Sequence, residues 1–371
     1  MTKILAVAGK ELRQVRRDPF SLMMLLGIPT FMLLLYGYAL NFDVRHVALA
    51  IQDRSATSAS RDLVFSFVSS TYFENAGRVP ESVDPSVVLT RRKAKAVLVI
   101  PENYARELSA GRTATVQLLL DGADAATATT VLGYAGGLVA QQTVKIRAAL
   151  SGVPAVAPIR FEPRVWYNPE LKSTNFLVPG LMGFILMLTA VLSTALSVVR
   201  EKERGTMEQL LVTSLRPGEL LVGKTIPYLL ISLLATAIIL LAARLLFGVA
   251  VRGSYLDLFA ATLVYLIGAL GWGLLVSSMS RTQAMAFQVG ALTAMLPAIF
   301  LSGFIFPIRS MPGALQVVTY AVPARYFLVI LRGIILKGAP LTAFLGDLGF
   351  LALYAAVVLG IAWRRLVAAE S

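Results

Sequence analysis

The chain of 371 residues contains no cysteine, which excludes disulfides, thiolate nucleophiles and Cys-ligated metal sites. Histidine occurs once, at His46, so no histidine cluster can hold a metal and imidazole catalysis has little scope. Charge is scarce as well. Asp, Glu, Lys and Arg make up 15% of the residues, against about 25% in an ordinary soluble domain. The charge that exists is clumped, with 27 of the 55 charged residues between Asn41 and Asn175. The remainder is strongly apolar: 57% of the chain is hydrophobic and its mean hydropathy is +0.72. An all-soluble enzyme is ruled out, and the pattern is that of an integral membrane protein with one water-facing insert.

Crossing about 30 Å of hydrocarbon takes roughly 20 apolar helical residues. Six segments qualify: Phe20–Leu40, Ser173–Val199, Thr225–Ala243, Leu258–Ser280, Thr282–Ile308 and Leu341–Trp363. The expected fold is an α-helical polytopic membrane protein of six transmembrane helices, with an extracytoplasmic α/β domain inserted between the first and the second. Residues 1–18 form an interfacial helix, 19–40 the first span, 41–172 the inserted domain and 173–371 the other five spans. Within the last part, 200–222 is a cytoplasmic loop and 303–340 a re-entrant segment on the opposite side.

Sidedness follows from the loops. Of 19 Lys and Arg residues outside the insert, 13 share a side with the N-terminus and six lie on the other. The basic side faces the cytoplasm, and a long insert does not vote. Both termini are therefore expected in the cytoplasm. The uncharged run of 21 residues at Phe20–Leu40 exceeds a signal-peptide core of about 7–15, so an uncleaved anchor is expected. The formal net charge of +13 has the same origin. Its basic residues are dispersed rather than gathered on one face, which argues against nucleic acid.

Before the first span, Ile4, Leu5, Ala8, Leu12 and Val15 recur at helical spacing, with Lys10, Arg13, Gln14 and Arg17 opposite. That stripe predicts a helix lying on the cytoplasmic leaflet. Asp18-Pro19 then supplies a cap and a first-turn proline for the span. In the insert, Val47–Ile51, Ala96–Ile100 and Val116–Leu120 read as strands, and Arg61–Val68, Glu102–Leu108 and Ala125–Leu150 as helices.

Gly218-Glu-Leu-Leu-Val-Gly223-Lys224-Thr225 matches the phosphate-binding pattern G-x-x-x-x-G-K-[ST] letter for letter. A phosphate loop follows a buried strand, whereas a polar loop precedes this stretch and a membrane helix follows it. The best partner run, Gln117–Asp121, falls across the bilayer from Lys224. The match is read as accidental. No nucleophile–base–orienter set is present, so no catalytic, cofactor or metal site is expected. Glu201 and Glu203, among Arg200, Lys202 and Arg204, read first as a solvated zwitterionic turn.

The most informative stretch is Arg200–Tyr228, REKERGTMEQLLVTSLRPGELLVGKTIPY. Gly205 breaks what precedes it, and Thr206 with Gln209 forms a capping box. Met207, Leu210, Leu211 and Ser214 share one face of the short helix so started, and Pro217-Gly218 ends it. Such a helix suits docking onto a cytoplasmic partner.

This stretch resembles the signature of ABC-2-type exporter permeases. Lys10-Glu-Leu-Arg-Gln with Arg17-Asp-Pro resembles the family's leading helix, and Tyr36–Asp43 the end of its first span. Ala94–Tyr104 with Asp121-Gly122 resembles the domain of the large-insert subfamily. Trp166–Glu170 and Val178-Pro-Gly180 resemble the approach to its second span. The resemblance implies a permease subunit without its own ATPase site, exporting a drug, lipid or other amphiphile, with ATP and Mg held by cytoplasmic ABC ATPase subunits. It implies a second permease copy or paralogue and a periplasmic membrane-fusion adaptor. It also assigns the ATPase-coupling interface to Arg200, Glu201, Glu203, Gly205, Thr206, Met207, Glu208, Leu210 and Leu211. Thr189, Ser193, Ser197, Gln288 and Thr293 are candidates for lining the pathway, although small polar residues also serve helix packing. A secondary transporter acting alone and a scaffold working through its outer domain are the alternatives. The central thirds of the spans hold no ionisable residue, which disfavours the first of these.

Overall fold

The computed structural model describes residues 2–39, 46–91, 93–122, 125–151, 166–168, 172–205 and 217–368. The chain divides into two units: Met1–Asn41 with Val165–Ser371, and Phe42–Arg164. Helix α1 (Thr2–Arg17) breaks at Asp18, and Pro19 restarts the chain as α2 (Pro19–Leu22). A π-helical turn, Met23–Gly27, joins α2 to α3 (Ile28–Ala39). The expected first span is thus helical but not one regular helix.

The inserted unit runs β1 (Val47–Asp53), α4 (Ser58–Val68), β2 (Phe73–Arg78), α5 (Pro85–Thr90), β3 (Ala96–Ile100), α6 (Tyr104–Ser109), β4 (Gln117–Leu120) and α7 (Ala125–Ser151). The sheet order is β2-β1-β3-β4, with β1 parallel to β2 and β3, and β4 antiparallel to β3. Every residue of β3 is buried because helices cover both faces of the sheet. Ala96, Leu98 and Ile100 join α4 and α7 residues in one core, while Val97 and Val99 pack on the other face towards α5. The three expected strands and three expected helices are all present, and two further elements appear. Strand β2, Phe-Glu-Asn-Ala-Gly-Arg, carries almost no apolar signal because it is an edge strand exposed beyond Phe73. Helix α5 is only one and a half turns long, started by Asp84 accepting from Ser86 N–H at 2.8 Å. That hydrogen bonding holds the Asp84 carboxyl below its ordinary pKa, as the Arg112 fork at 2.6 and 3.1 Å does for Glu107.

The larger unit continues with α8 (Ser173–Glu203), α9 (Pro217–Phe247), α10 (Tyr255–Met279), α11 (Gln283–Leu296) with a π-helical turn at Pro297–Leu301, α12 (Gly313–Thr319), α13 (Pro323–Lys337) and α14 (Leu345–Ala368). Among the described residues, five stretches are long and apolar enough to cross a membrane: Ser173–Glu203, Gly218–Phe247, Tyr255–Met279, Gln283–Leu301 and Leu341–Arg365. Leu25–Ala39 is apolar but shorter, and α12 and α13, within the segment expected to be re-entrant, form a pair bent by 78°, the geometry of either a broken span or a re-entrant loop. Two boundaries move. Helix α8 runs four residues past the expected span end at Val199, and α9 begins at Pro217, eight residues before Thr225.

Helix α8 is the hub. Its apolar window is 83% buried, against 33% for α9 and 17% for the last span, because α3, α9, α10, α11 and α13 surround it. Apolar residues around the whole circumference of a helix are the mark of such a position. Small residues bring the helices close enough for polar contacts between them. Thr194 Oγ1 donates to Leu270 O at 3.0 Å, and Tyr265 OH to Gly183 O at 2.8 Å. A Cβ at Gly273 would overlap the Thr194 hydroxyl and the Val191 carbonyl, whereas one at Gly349 would meet nothing. Gly273→Ala should therefore cost about 1–3 kcal/mol by overpacking, and Gly349→Ala should not destabilise. Thermal unfolding of the two variants in detergent checks this.

Candidate functional site

Successive helical residues project about 100° apart, so four in a row point to four sides of the helix. At the end of α8 those four are Arg200, Glu201, Lys202 and Glu203, and each meets a different part of the bundle. Arg200 Nη1 lies 3.7 Å from Asp18 Oδ2, at the break between α1 and α2. Glu201 Oε2 lies 2.5 Å from Lys224 Nζ of α9, and its Oε1 lies 2.5 Å from Lys10 Nζ of α1. Lys202 Nζ donates to Ser277 O at 2.6 Å, placing a cation on the carbonyl end of α10. Glu203 accepts from Gln283 N–H at 2.7 Å and from the Gln283 side chain, placing an anion on the amide end of α11. Gly205 at φ +67° closes α8 in the left-handed conformation that glycine adopts most readily.

A second carboxylate completes the site. Glu11 is 1% exposed and stands on the buried face of α1 with Val7, Ala8 and Val15. Lys224 Nζ donates to its Oε1 at 3.0 Å, while Ser197 Oγ and Tyr228 OH donate to Oε2 at 3.2 and 3.3 Å. Two carboxylates and two ammonium groups thus form a neutral cluster joining α1, α8 and α9. An isolated buried ion is costly and persists only when paired and hydrogen-bonded, a condition this arrangement meets.

These positions revise two sequence readings. Glu201 is 6% exposed and lies within a helix, not in a solvated turn, because two lysines draw it inward. Charge reversal there would test folding and not docking alone. Glu203 is exposed, but it caps α11. The α1 stripe also splits. Ala8 and Val15 pack inward, while Leu5 and Leu12 are 63% and 46% exposed, so the helix turns one flank to the protein and another outward.

The phosphate-loop look-alike acquires a structural reason at each fixed letter. Gly218 sits against the Trp363 ring, and a Cβ at Gly223 would lie 2.8 Å from the Val7 Cβ. Lys224 is the centre of the ion cluster, and Thr225 Oγ1 returns its proton to Leu221 O at 2.8 Å. The lysine is 2% exposed inside a helix, so it is closed to a phosphate.

Of the coupling residues expected from sequence, Arg200, Glu201, Glu203 and Gly205 converge on this end of α8. Thr206, Met207, Glu208, Leu210 and Leu211 lie outside the described residues, as do the expected capping box and the face they share. Among the pathway candidates, Thr189, Ser193 and Ser197 line one cavity of about 310 Å³ between α8, α1 and α3, together with Gln14, Arg200 and Tyr228. Their hydroxyls are satisfied internally: Thr189 donates to Ile185 O and Ser193 to Ala190 O, each at 2.8 Å, and Ser197 to Glu11. The wall is therefore apolar in effect. Thr293 lines a different cavity and accepts from Trp272 Nε1–H at 3.0 Å, and Gln288 is exposed. Glu11 was missed by sequence reasoning. The available signal was a carboxylate at i+3 from Ala8 and i+7 from Ile4, on the apolar stripe itself.

Lys224→Met should cost about 3–5 kcal/mol, because it leaves Glu11 and Glu201 buried with Lys10 as their main counter-charge. Glu11→Gln with Lys224→Met should recover most of that loss, since the Lys10–Glu201 pair survives. Thermal unfolding of both variants and of each single change gives the coupling.

The family described as "ABC-2 family transporter protein" matches residues 19–364. The chain is 34% identical over 366 residues to the probable multidrug ABC transporter permease YbhS of Escherichia coli K12, covering 98% of this chain and 96% of the relative. It is 32% identical over 336 residues to the probable multidrug ABC transporter permease YbhR of the same organism, covering 90% and 89%. It is 23% identical to the linearmycin resistance permease protein LnrN of Bacillus subtilis 168, covering 99% and 100%. The protein is a polytopic membrane permease and belongs to the ABC-2 family of ABC transporters.

Proposed function

We propose that this chain is the transmembrane subunit of an exporter powered by a separate ATPase. The observation that carries the reading is the four-way fastening of Arg200–Glu203 immediately before the loop that joins α8 to α9. A push on that loop reaches α1, α9, α10 and α11 at once, through the buried Glu201–Lys224 pair, the part-buried Glu201–Lys10 and Lys202–Ser277 contacts and the exposed Glu203–Gln283 cap. The loop then acts as the coupling element, with Gly205 through Leu211 docking on a cytoplasmic ABC ATPase that holds the ATP and Mg. The buried Lys224 supports a permease that hydrolyses no nucleotide itself.

In this reading the membrane is the bacterial inner membrane, both termini are cytoplasmic, and the α/β unit stands outside the cytoplasm, where a periplasmic membrane-fusion adaptor could engage it. A second permease, identical or related, completes the pathway. The printed names of the relatives, multidrug and linearmycin resistance permeases, support an apolar or amphiphilic cargo. The apolar cavity beside Thr189, Ser193 and Ser197 suits such a molecule, since it offers few unsatisfied polar groups.

Inside-out vesicles containing the chain alone should neither hydrolyse ATP nor accumulate fluorescent amphiphiles, and adding the ATPase subunit should start both. Uptake by the isolated chain would favour a secondary transporter. Glu208→Lys, in the proposed docking segment, should lower transport by at least about tenfold, a loss of the size of ordinary coupling energies, with membrane levels unchanged. Thr189→Trp should fill the cavity and reduce uptake while leaving nucleotide hydrolysis in place.

A further inference from the structure

An interfacial helix at the start of a membrane protein is ordinarily a lipid anchor, held by its apolar flank and free to swivel beneath the first span. Helix α1 is held differently. Its Glu11 is buried among donors from two other helices, Ser197 of α8 and Lys224 and Tyr228 of α9. Its Lys10 reaches Glu201, and Asp18 at its end pairs with Arg200. The two ties to the last turn of α8 are eight residues apart, about 12 Å along a helix. A rod pinned at two such points cannot rotate about either. Gly223 removes the side chain that would keep α1 off α9, so the backbones close up against Val7 and Ile4.

Apolar packing alone could hold two helices together, and buried ion pairs often contribute little net stability. What charges add is register: an alternative rotation of α1 would part Glu11 from Lys224, Ser197 and Tyr228, leaving Lys224 with Glu201 alone. We propose that Glu11, Lys224 and Glu201 are positioning residues that lock α1, α9 and the end of α8 into one rigid lever. The leading helix then moves with the coupling loop during ATP-driven transport and is no independent anchor. This deepens the functional reading above and rests on it.

The test uses the complete chain reconstituted with its ATPase subunit in lipid nanodiscs. The absence of native cysteine allows spin labels at Leu12→Cys and Leu230→Cys, which are 46% and 54% exposed on α1 and α9. Labelled chain is diluted with unlabelled chain so that one pair is read per assembly. The expected result is a separation that changes by less than about 2 Å when ATP binds, within ordinary helix adjustment. In Glu11→Gln with Lys224→Met, the separation should broaden or shift by about 5 Å or more, one helical turn. The effect of the permease on ATP hydrolysis should then fall about tenfold. Glu11→Gln alone, which keeps both pairs of Glu201, serves should the double variant not fold, and should show the same changes. Wild-type labels that separate on ATP binding would overturn the proposal, as would variants that keep both the distance and the hydrolysis response. A wild-type chain with no effect on the ATPase would remove the functional reading first, which separates the two failures.

Discussion

A buried charge must be neutralised where it stands, and in this protein that constraint organises the end of the bundle from which the proposed coupling loop emerges. Glu11 with Lys10, Glu201 and Lys224 come from three helices, and removing Lys224 alone would leave two buried carboxylates to share one lysine. The cluster therefore fixes which face α1 presents to α9 and how α9 is rotated against α8. Close approach at Gly223 and the hydrogen bonds from Ser197 and Tyr228 follow from that placement.

The same end of α8 shows how one short polar run can address several neighbours. Helical geometry spreads Arg200, Glu201, Lys202 and Glu203 around the axis, and a central helix has a neighbour on every side. Two of the contacts use helix termini as counter-charges, the carbonyl end of α10 for Lys202 and the amide end of α11 for Glu203. Elsewhere the bundle relies on small residues and on hydroxyls that find acceptors inside the protein. Around the cavity beside α8, Thr189 and Ser193 return their protons to their own helix and Ser197 gives its proton to Glu11, so these three add little free polarity to the wall.

The look-alike at Gly218–Thr225 shows why a motif needs its context. Its glycines admit Trp363 and Val7, and its lysine neutralises two carboxylates; a phosphate loop uses the same letters to expose backbone amides to a ligand. Helix packing and phosphate binding both select glycine for close approach and lysine for charge.

Composition and periodicity by themselves determined the membrane class, the long spans, the insert and three each of its strands and helices, since hydrocarbon and buried sheets demand apolar runs. The signature around Gly205–Leu211 likewise points to the family from sequence alone. Tertiary structure alone decided the exposed edge strand β2, the continuation of α8 through Glu203 and the inward turn of Glu201. It also decided the role of Glu11. Each of these depends on partners remote in sequence, and a polar residue read along the chain looks the same whether it faces water or a buried counter-charge.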